Sequence, residues 1–485
     1  MNINPFSHIG IGRHWKHLWR HGCQPLPLAR PPLNELAKRP LPDLPGQIER
    51  SGTACRYLDL LGQLNWQRWW QRIANLPSPG PAPNSLIPFV LAHLVKLDKG
   101  LRTMTALRSY LVLHPELVWL LGFPLRACSY QPWGFDIQTA VPPVRRFSQV
   151  LRRLENDALQ RLLTETVCLL QANLPPAAHF GHTISLDTKH IIAWVKENNP
   201  KAYIKEGRFD KTKQPAGDQD ARLGYKSLSN QRIRYRTPQH EGIPASRLGV
   251  GRGQFYWGYA SGVVATKVAG FGEFVLAEIT QPFDQSDVSF FHDLMAMVET
   301  RLGFAPPNGA LDAAYDAHYV YDYFHQAGGL AAVPRVERGR DKKRTFSSDG
   351  LPLCAADFPM PLKQTFMNRT SLVPHERGRY VCPLLYPDPT GAQCPLAHPK
   401  WAKGGCKTTL ATSEGARLRH QIDRESDAYK QIYKQRTAVE RIFSQAMALG
   451  IERPKLRNQQ SIANQNTLIY ILINLRALAR LKADF

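Results

Sequence analysis

Acidic side chains are scarce in this chain. Its 485 residues hold 39 Asp and Glu against 62 Lys and Arg, for a net charge of +23. An excess of that size repels itself unless the partner is a polyanion. Nucleic acid is the first candidate partner and an anionic membrane surface the second. Long apolar runs are missing too: no stretch reaches the 18 or more residues that span a bilayer, and the longest candidate, Leu468 to Leu475, falls well short. Residues Met1 to Leu28 scatter Arg, Lys and His with no apolar centre, so they do not read as a secretory signal, and a cytoplasmic location is expected. Cysteine is sparse as well. Eight in 485 residues exclude a disulfide scaffold and leave buried thiols or metal ligands. What remains is ordinary for a globular protein, with 43% apolar and 10% aromatic residues, and a length that divides into about three domains.

Prolines recur from Pro25 to Pro45, which breaks helices and predicts an extended arm over residues 1–50. Residues 51–175 predict an all-helical unit. Cys55 to Ile73 places Trp66, Trp69 and Trp70 on one stripe, favoured as core over a base-stacking platform. Leu86 to Leu97 and Thr103 to Leu121 repeat the helical period, with Thr103 as a cap, and Val141 to Ala172 continues it. Helices joined by short turns in a basic chain fit a helix-turn-helix DNA reader and a plain helical bundle equally.

The run Ile184-Ser185-Leu186-Asp187-Thr188-Lys189-His190 is apolar and β-branched around one acid, and predicts a buried strand that carries Asp187. An ionised carboxylate there is costly unless it is paired or binds a metal; the plain alternative is an Asp that ends a strand and starts a turn. From Lys196 to Arg236 eleven cations alternate with Tyr203, Phe209, Tyr225 and Tyr235, a pattern that suits a surface tracking a nucleic-acid strand better than a solvated loop. Phe255 to Thr266 and Glu273 to Ile279 predict two more strands antiparallel to the first. Gly249, Gly251 and Gly253 precede no helix and so form no phosphate loop. Ser286 to Leu302 predicts a capped amphipathic helix. A second small apolar run, Gly309 to Leu311, ends on Asp312, with a helix over Ala317 to Ala327. Residues 335–424 break this rhythm, and the chain is helical again from Asp427, with Glu440 inside.

Asp187, Asp312 and Glu440 stand out together. Two strand carboxylates and a third from a helix can hold two divalent cations about 4 Å apart, suited to phosphoryl transfer; hard oxygen ligands favour Mg²⁺ or Mn²⁺. In this order and setting the residues resemble the DDE-type transposases of bacterial insertion sequences, of the ribonuclease H-like, retroviral-integrase-like superfamily. That family's late helix carries Tyr, two residues, Arg, three residues, Glu, six residues and Lys. Tyr433, Arg436 and Glu440 stand at those spacings, while the Lys position holds Met447 and Lys455 lies eight residues further on. Ala106 to Leu111 with Pro115 to Phe123 is similar to the helical N-terminal domain of such enzymes, and the stretch between the second Asp and the Glu to the insertion many of them carry.

The resemblance implies an α/β protein: a ribonuclease H-like catalytic core at 178–334 and 425–485, an all-helical DNA-binding domain at 51–175, and a β-rich, cysteine-containing insertion at 335–424. It implies that Asp187, Asp312 and Glu440 bind two Mg²⁺ or Mn²⁺ ions, and that Tyr433 and Arg436, with Lys455 as a stand-in for the missing Lys, hold DNA phosphate. The partners would be double-stranded DNA, both the element's terminal inverted repeats and the target, with a homodimer in the synaptic complex. Water would cut at the element end, and the freed 3′-hydroxyl would attack target DNA. Three other readings compete: a transposase-derived DNA-binding protein without activity, a structure-selective nuclease on the same fold, and, least, Tyr433 as a recombinase nucleophile, for which no cluster of catalytic Arg and His is apparent. Within the insertion, Cys354, Cys382, Cys394 and Cys406, with His375 and His398 nearby, lack a tight Cys-x-x-Cys knuckle, yet their crowding favours a lobe stapled by structural Zn²⁺ over buried free thiols.

Overall fold

The computed structural model describes residues 25–38, 44–74, 85–199, 208–226, 254–284, 286–336 and 344–483. Residues 1–24 of the expected arm, Lys201, Tyr203, Lys205, Arg232, Arg234, Tyr235 and Arg236 of the basic run, and the three glycines 249, 251 and 253 lie outside the described residues.

Among the described residues, seven helices longer than a single turn build the N-terminal half: α1 (Gly52–Leu61), α2 (Trp66–Ala74), α3 (Ile87–Asp98), α4 (Met104–Leu113), α5 (Pro115–Leu121), α6 (Val144–Arg153) and α7 (Asn156–Asn173). They are shorter than the sequence periodicity suggests. Pro115 divides the expected Thr103–Leu121 helix, because proline lacks an N–H and its ring disfavours helical backbone at the residue before it. Asn65 starts α2 by accepting the Arg68 amide at 3.0 Å. Thr103 caps α4 as expected, accepting from Ala106 N at 3.1 Å. Trp66 and Trp69 are buried, donating their indole N–H groups to the carbonyls of Leu61 and Ala158 at 2.7 Å, so this stripe is core. The proline-rich segment is not an extended arm where it is described. Single helical turns at Leu33–Leu36 and Gly46–Glu49, with Leu26, Leu33, Leu36 and Ile48 buried, strap it to the bundle. Proline forbids long helices here, but the leucines between prolines still have a core to enter.

A mixed sheet follows, in the order β2-β3-β1-β5-β6. Central β1 (Thr183–Ile192) runs antiparallel to β3 (Gln254–Val268) and parallel to β5 (Asn308–Leu311), which in turn is parallel to β6 (Ala331–Ala332). On the other edge of β3 sit β2 (Arg222–Lys226) and then β4 (Gly272–Pro282), both antiparallel. Helices α8 (Phe291–Leu302) and α9 (His318–Gln326) flank β5 in sequence. Residues 344–412 form a lobe around a three-stranded antiparallel sheet, β7 (Leu362–Asn368), β8 (His375–Val381) and β9 (Lys407–Ala411). The chain then returns through α10 (Glu414–Gln421), α11 (Asp427–Tyr433), α12 (Thr437–Ala448) and α13 (Gln459–Ala483).

α13 is the axis of the molecule. The helical unit, one face of the sheet and α13 share one hydrophobic cluster, which includes Leu58, Trp69, Leu162, Val263 and Leu472. Residues 461–475 of α13 are buried on every side. Its polar side chains are buried too and act as brackets. Asn464 donates to the carbonyls of Leu151 and Leu154 at 2.8 and 2.6 Å. Asn474 accepts from Val275 N at 2.9 Å and donates to Val275 O at 2.8 Å, covering the open edge of β4. No helix among the described residues is long and apolar enough to cross a membrane.

At the same junction Glu278 of β4 is fully buried, accepting from Gln160 Nε2 at 2.9 Å and from the Thr467 hydroxyl, beside Arg301. Burial pushes its carboxyl up to about 7. A raised pKa means that the folded state holds the proton more tightly, so this contribution to stability is complete below about pH 4.5 and is lost as pH rises through about 7. Glu278→Gln, which cannot ionise, should show a flatter dependence of Tm on pH across that window in calorimetry; parallel curves for variant and parent would refute the assignment.

Candidate active site

Asp187 lies in the middle of β1 rather than at its end. The parallel pairing with β5 stops at Leu186 opposite Leu311, while the antiparallel pairing with β3 continues to Ile192. Asp187 and Asp312 are therefore the first residues past the last parallel pair, side by side where that seam of the sheet opens. Asp312 closes β5 as expected and turns the chain by accepting Ala314 N at 2.8 Å. Asp187 accepts Thr188 N at 2.8 Å. Burial, and then the charge of Asp312, push the Asp187 carboxyl up to about 7, against the opposing pull of Arg436.

Side chains at 185, 187 and 189 share one face of β1, and α12 lies on that face. Ser185 Oγ, buried, accepts the amide of Val439 at 3.1 Å, pinning the first turn of α12 to the strand. Glu440 is the next residue. Arg436 sits between the acids, donating from Nη1 to Glu440 Oε1 at 2.6 Å and placing Nη2 3.9 Å from Asp187 Oδ2. Tyr433, one turn earlier, stacks on Tyr429 at 5.8 Å, and burial raises its hydroxyl pKa. The structure thus brings together Asp187, Asp312, Arg436, Tyr433 and Glu440. Glu440 is the outlier, half exposed and engaged by Arg436. Among the described residues no three His, Cys, Asp or Glu side chains are already gathered closely enough to hold an ion. The donor set still suits a hard cation, because crowded, partly desolvated carboxylates are relieved by positive charge.

A fourth acid belongs here. Asp287 accepts the Thr188 hydroxyl at 2.5 Å, and burial followed by the charge of Asp312 raises its carboxyl pKa. In sequence, Ser286-Asp287 before an apolar helix reads as a cap; in the structure Ser286 makes no side-chain cap, a 3₁₀ turn (Asp287–Phe290) intervenes, and Asp287 faces the strand. Near the acids Tyr315 is buried with a hydroxyl that meets no partner among the described residues, and burial and the charges of Asp187, Asp287 and Asp312 keep it protonated.

At the Met447 position on α12, the cation comes from the strand: Lys189 Nζ lies 3.2 Å from Met447 Sδ and 3.6 Å from Glu452 Oε1. Lys455 lies on the wall of a cleft at the end of α12 that Met447 also lines.

In the insertion, Cys406 hydrogen-bonds Cys382 with Cys354 also close, and burial, more than these neighbours, pushes its thiol up to about 12. Gly404 and Gly405, at φ 86° and 72°, allow this approach; a Cβ on Gly405 would come within 2.7 Å of Cys382 Cβ. The carbonyls of Cys354, Cys382 and Cys394 each accept the amide three residues on, at 3.0, 3.2 and 3.0 Å, so each begins a tight turn.

No protein-family model matches the chain, and no curated protein matches it.

Ser185→Ala would leave the Val439 amide buried without an acceptor, for a loss of about 1–3 kcal/mol in urea unfolding. A change below about 0.5 kcal/mol would mean that α12 is held some other way.

Proposed function

We propose that this protein is a DDE-type DNA transposase, acting on double-stranded DNA in the cytoplasm as a homodimer at synapsis, with a ribonuclease H-like core. The observation that carries the reading is the position of Asp187 and Asp312 at the opening of one parallel seam, with Tyr433 at the end of α11, Arg436 in the 3₁₀ turn that follows and Glu440 in the first turn of α12 delivered to the same place. The strand order supports it: three antiparallel strands, β1, β3 and β4, followed by two parallel ones beside β1. So does the +23 charge, together with exposed Trp194 under the Arg457 guanidinium at 5.1 Å and exposed Tyr225 beside Phe255 at 4.8 Å, rings able to stack on bases.

Two Mg²⁺ or Mn²⁺ ions held by Asp187, Asp312 and Glu440 would activate the attacking oxygen and offset charge on the phosphoryl group. Arg436 would bind the phosphate with its fork of N–H groups, leaving its present carboxylate partners to do so, and Lys189 would offer a second cation on the same face. Water adds to phosphorus as the DNA 3′-oxygen leaves and takes a proton. That 3′-hydroxyl then attacks a target phosphorus and displaces the target's own 3′-oxygen. Both are in-line transfers without a protein-bound intermediate.

A second reading, a transposase-derived DNA binder without activity, is favoured by the Arg436–Glu440 pair and by Met447. For the insertion we propose a structural zinc held by Cys354, Cys382, Cys394 and Cys406. Residues 344–412 bury only Pro352, Met360, Val381 and Cys382 among their apolar side chains, too few to hold a lobe of that size alone.

Asp187→Ala, Asp312→Ala and Glu440→Gln should each lower Mg²⁺-dependent nicking of duplex element ends by at least about a hundredfold while duplex binding persists. Nicking by these variants at the parental rate removes the acids from catalysis; a parent that binds ends and never cuts supports the second reading. Elemental analysis should find zinc in the purified parent and lose it in Cys382→Ser, with a lower Tm; a zinc-free parent of equal Tm would overturn the staple.

A further inference from the structure

Lys96, near the end of α3, is only 7% exposed, and no acid pairs with it among the described residues. The carboxylate two residues on, Asp98, is fully occupied, accepting from Arg56 at 2.7 Å, Arg476 at 2.6 Å and the Tyr57 hydroxyl at 2.8 Å. One turn earlier His93 gives no help: its ring sits 3.3 Å from the Phe147 carbonyl, and burial, with the charge of Lys96, pushes its pKa down to about 3. Burial also lowers the Lys96 ammonium to about 8. An ammonium withdrawn from water without a counter-charge is destabilising, and a methionine would fill the same space without that cost.

Lys96 faces a cleft of about 530 Å³ between the α3–α4 turn and the segment after α12. Arg102, Arg453 and Lys455 line the same cleft, and the acid on its wall, Glu452, already has Lys189 at 3.6 Å. Gly100 and Gly450, with φ 64° and 88°, also line it, and a Cβ at either would meet nothing within 4 Å, so the backbone there is open to a ligand. The cleft adjoins Met447, seven residues past Glu440 on α12, roughly 10 Å along the helix and so about three nucleotide steps of a B-form strand.

We propose that this cleft binds a phosphate of the DNA backbone flanking the reacting one, with Lys96 as its buried cation and Arg102, Arg453 and Lys455 at its mouth. The assignment rests on the reading above that the partner is DNA. It explains why a lysine is kept where packing alone calls for an apolar residue, and it gives Lys455 a phosphate to meet away from the acids.

The test uses the full chain, with duplex DNA binding followed by fluorescence anisotropy across a salt series. Lys96→Met should weaken duplex binding by about three- to tenfold and reduce the slope of log affinity against log salt by about one, with Tm equal to or above the parent. Arg453→Ala with Lys455→Ala, both exposed positions, should lower the slope further without loss of Tm. Unchanged affinity and slope in both variants overturn the proposal. If inorganic phosphate raises the parent's Tm but not that of Lys96→Met, and duplex DNA does not compete, the cleft takes a free phosphate and the backbone assignment fails. If the acid variants cut normally while Lys96→Met still loses affinity, the transposase reading falls and this site stands.

Discussion

A single buried hydroxyl joins the early and late parts of this chain at the point that matters most. Ser185 and Val439 are 254 residues apart, and the hydrogen bond between them fixes where α12 meets β1. Glu440 and Arg436 inherit their positions from that contact. The sheet supplies Asp187 and Asp312 through strand register alone, and the anchored first turn of α12 supplies Glu440 and fixes Arg436 just ahead of it. Rotation of α12 about its axis by one residue, about 100°, would carry Arg436 away from Asp187 and dissolve the cluster.

The cluster is also unfavourable as it stands. Asp187, Asp287 and Asp312 crowd one opening, burial and mutual repulsion raise two of their pKa values, and Tyr315 adds a hydroxyl without a partner among the described residues. Arg436 offsets part of this with one guanidinium shared between Asp187 and Glu440. Strain of this kind is expected where a fold keeps groups for chemistry rather than for stability. Glu278 is the contrast: its carboxyl pKa is raised as well, yet its neighbours Gln160, Thr467 and Arg301 are structural.

Much of this was legible in the sequence because local pattern and tertiary role agree. The run around Asp187 reads as a buried strand, the tryptophan stripe as core, and Thr103 as a cap. Other features were not. Asp287 was hidden because a Ser-Asp pair ahead of an apolar helix has a satisfying local explanation, and nothing local reveals that Thr188 is its partner. Lys96 was hidden because a lysine on a helix is ordinarily solvated, and only packing from distant elements buries it. The prolines from Pro25 to Pro45 promised an extended arm, but single leucines between them found a core that no local window could show. The position of Lys189 beside Met447 required knowing that β1 lies under α12.

Because α13 is enclosed by helices from the first half and by the sheet from the second, neither can close before residues 459–483 exist. On a ribosome the earlier elements would emerge with their apolar faces open and their final partner still unsynthesised. Folding would then be a late, nearly all-or-none event. A chain truncated ahead of α13 would leave an aggregation-prone remnant rather than a smaller working protein.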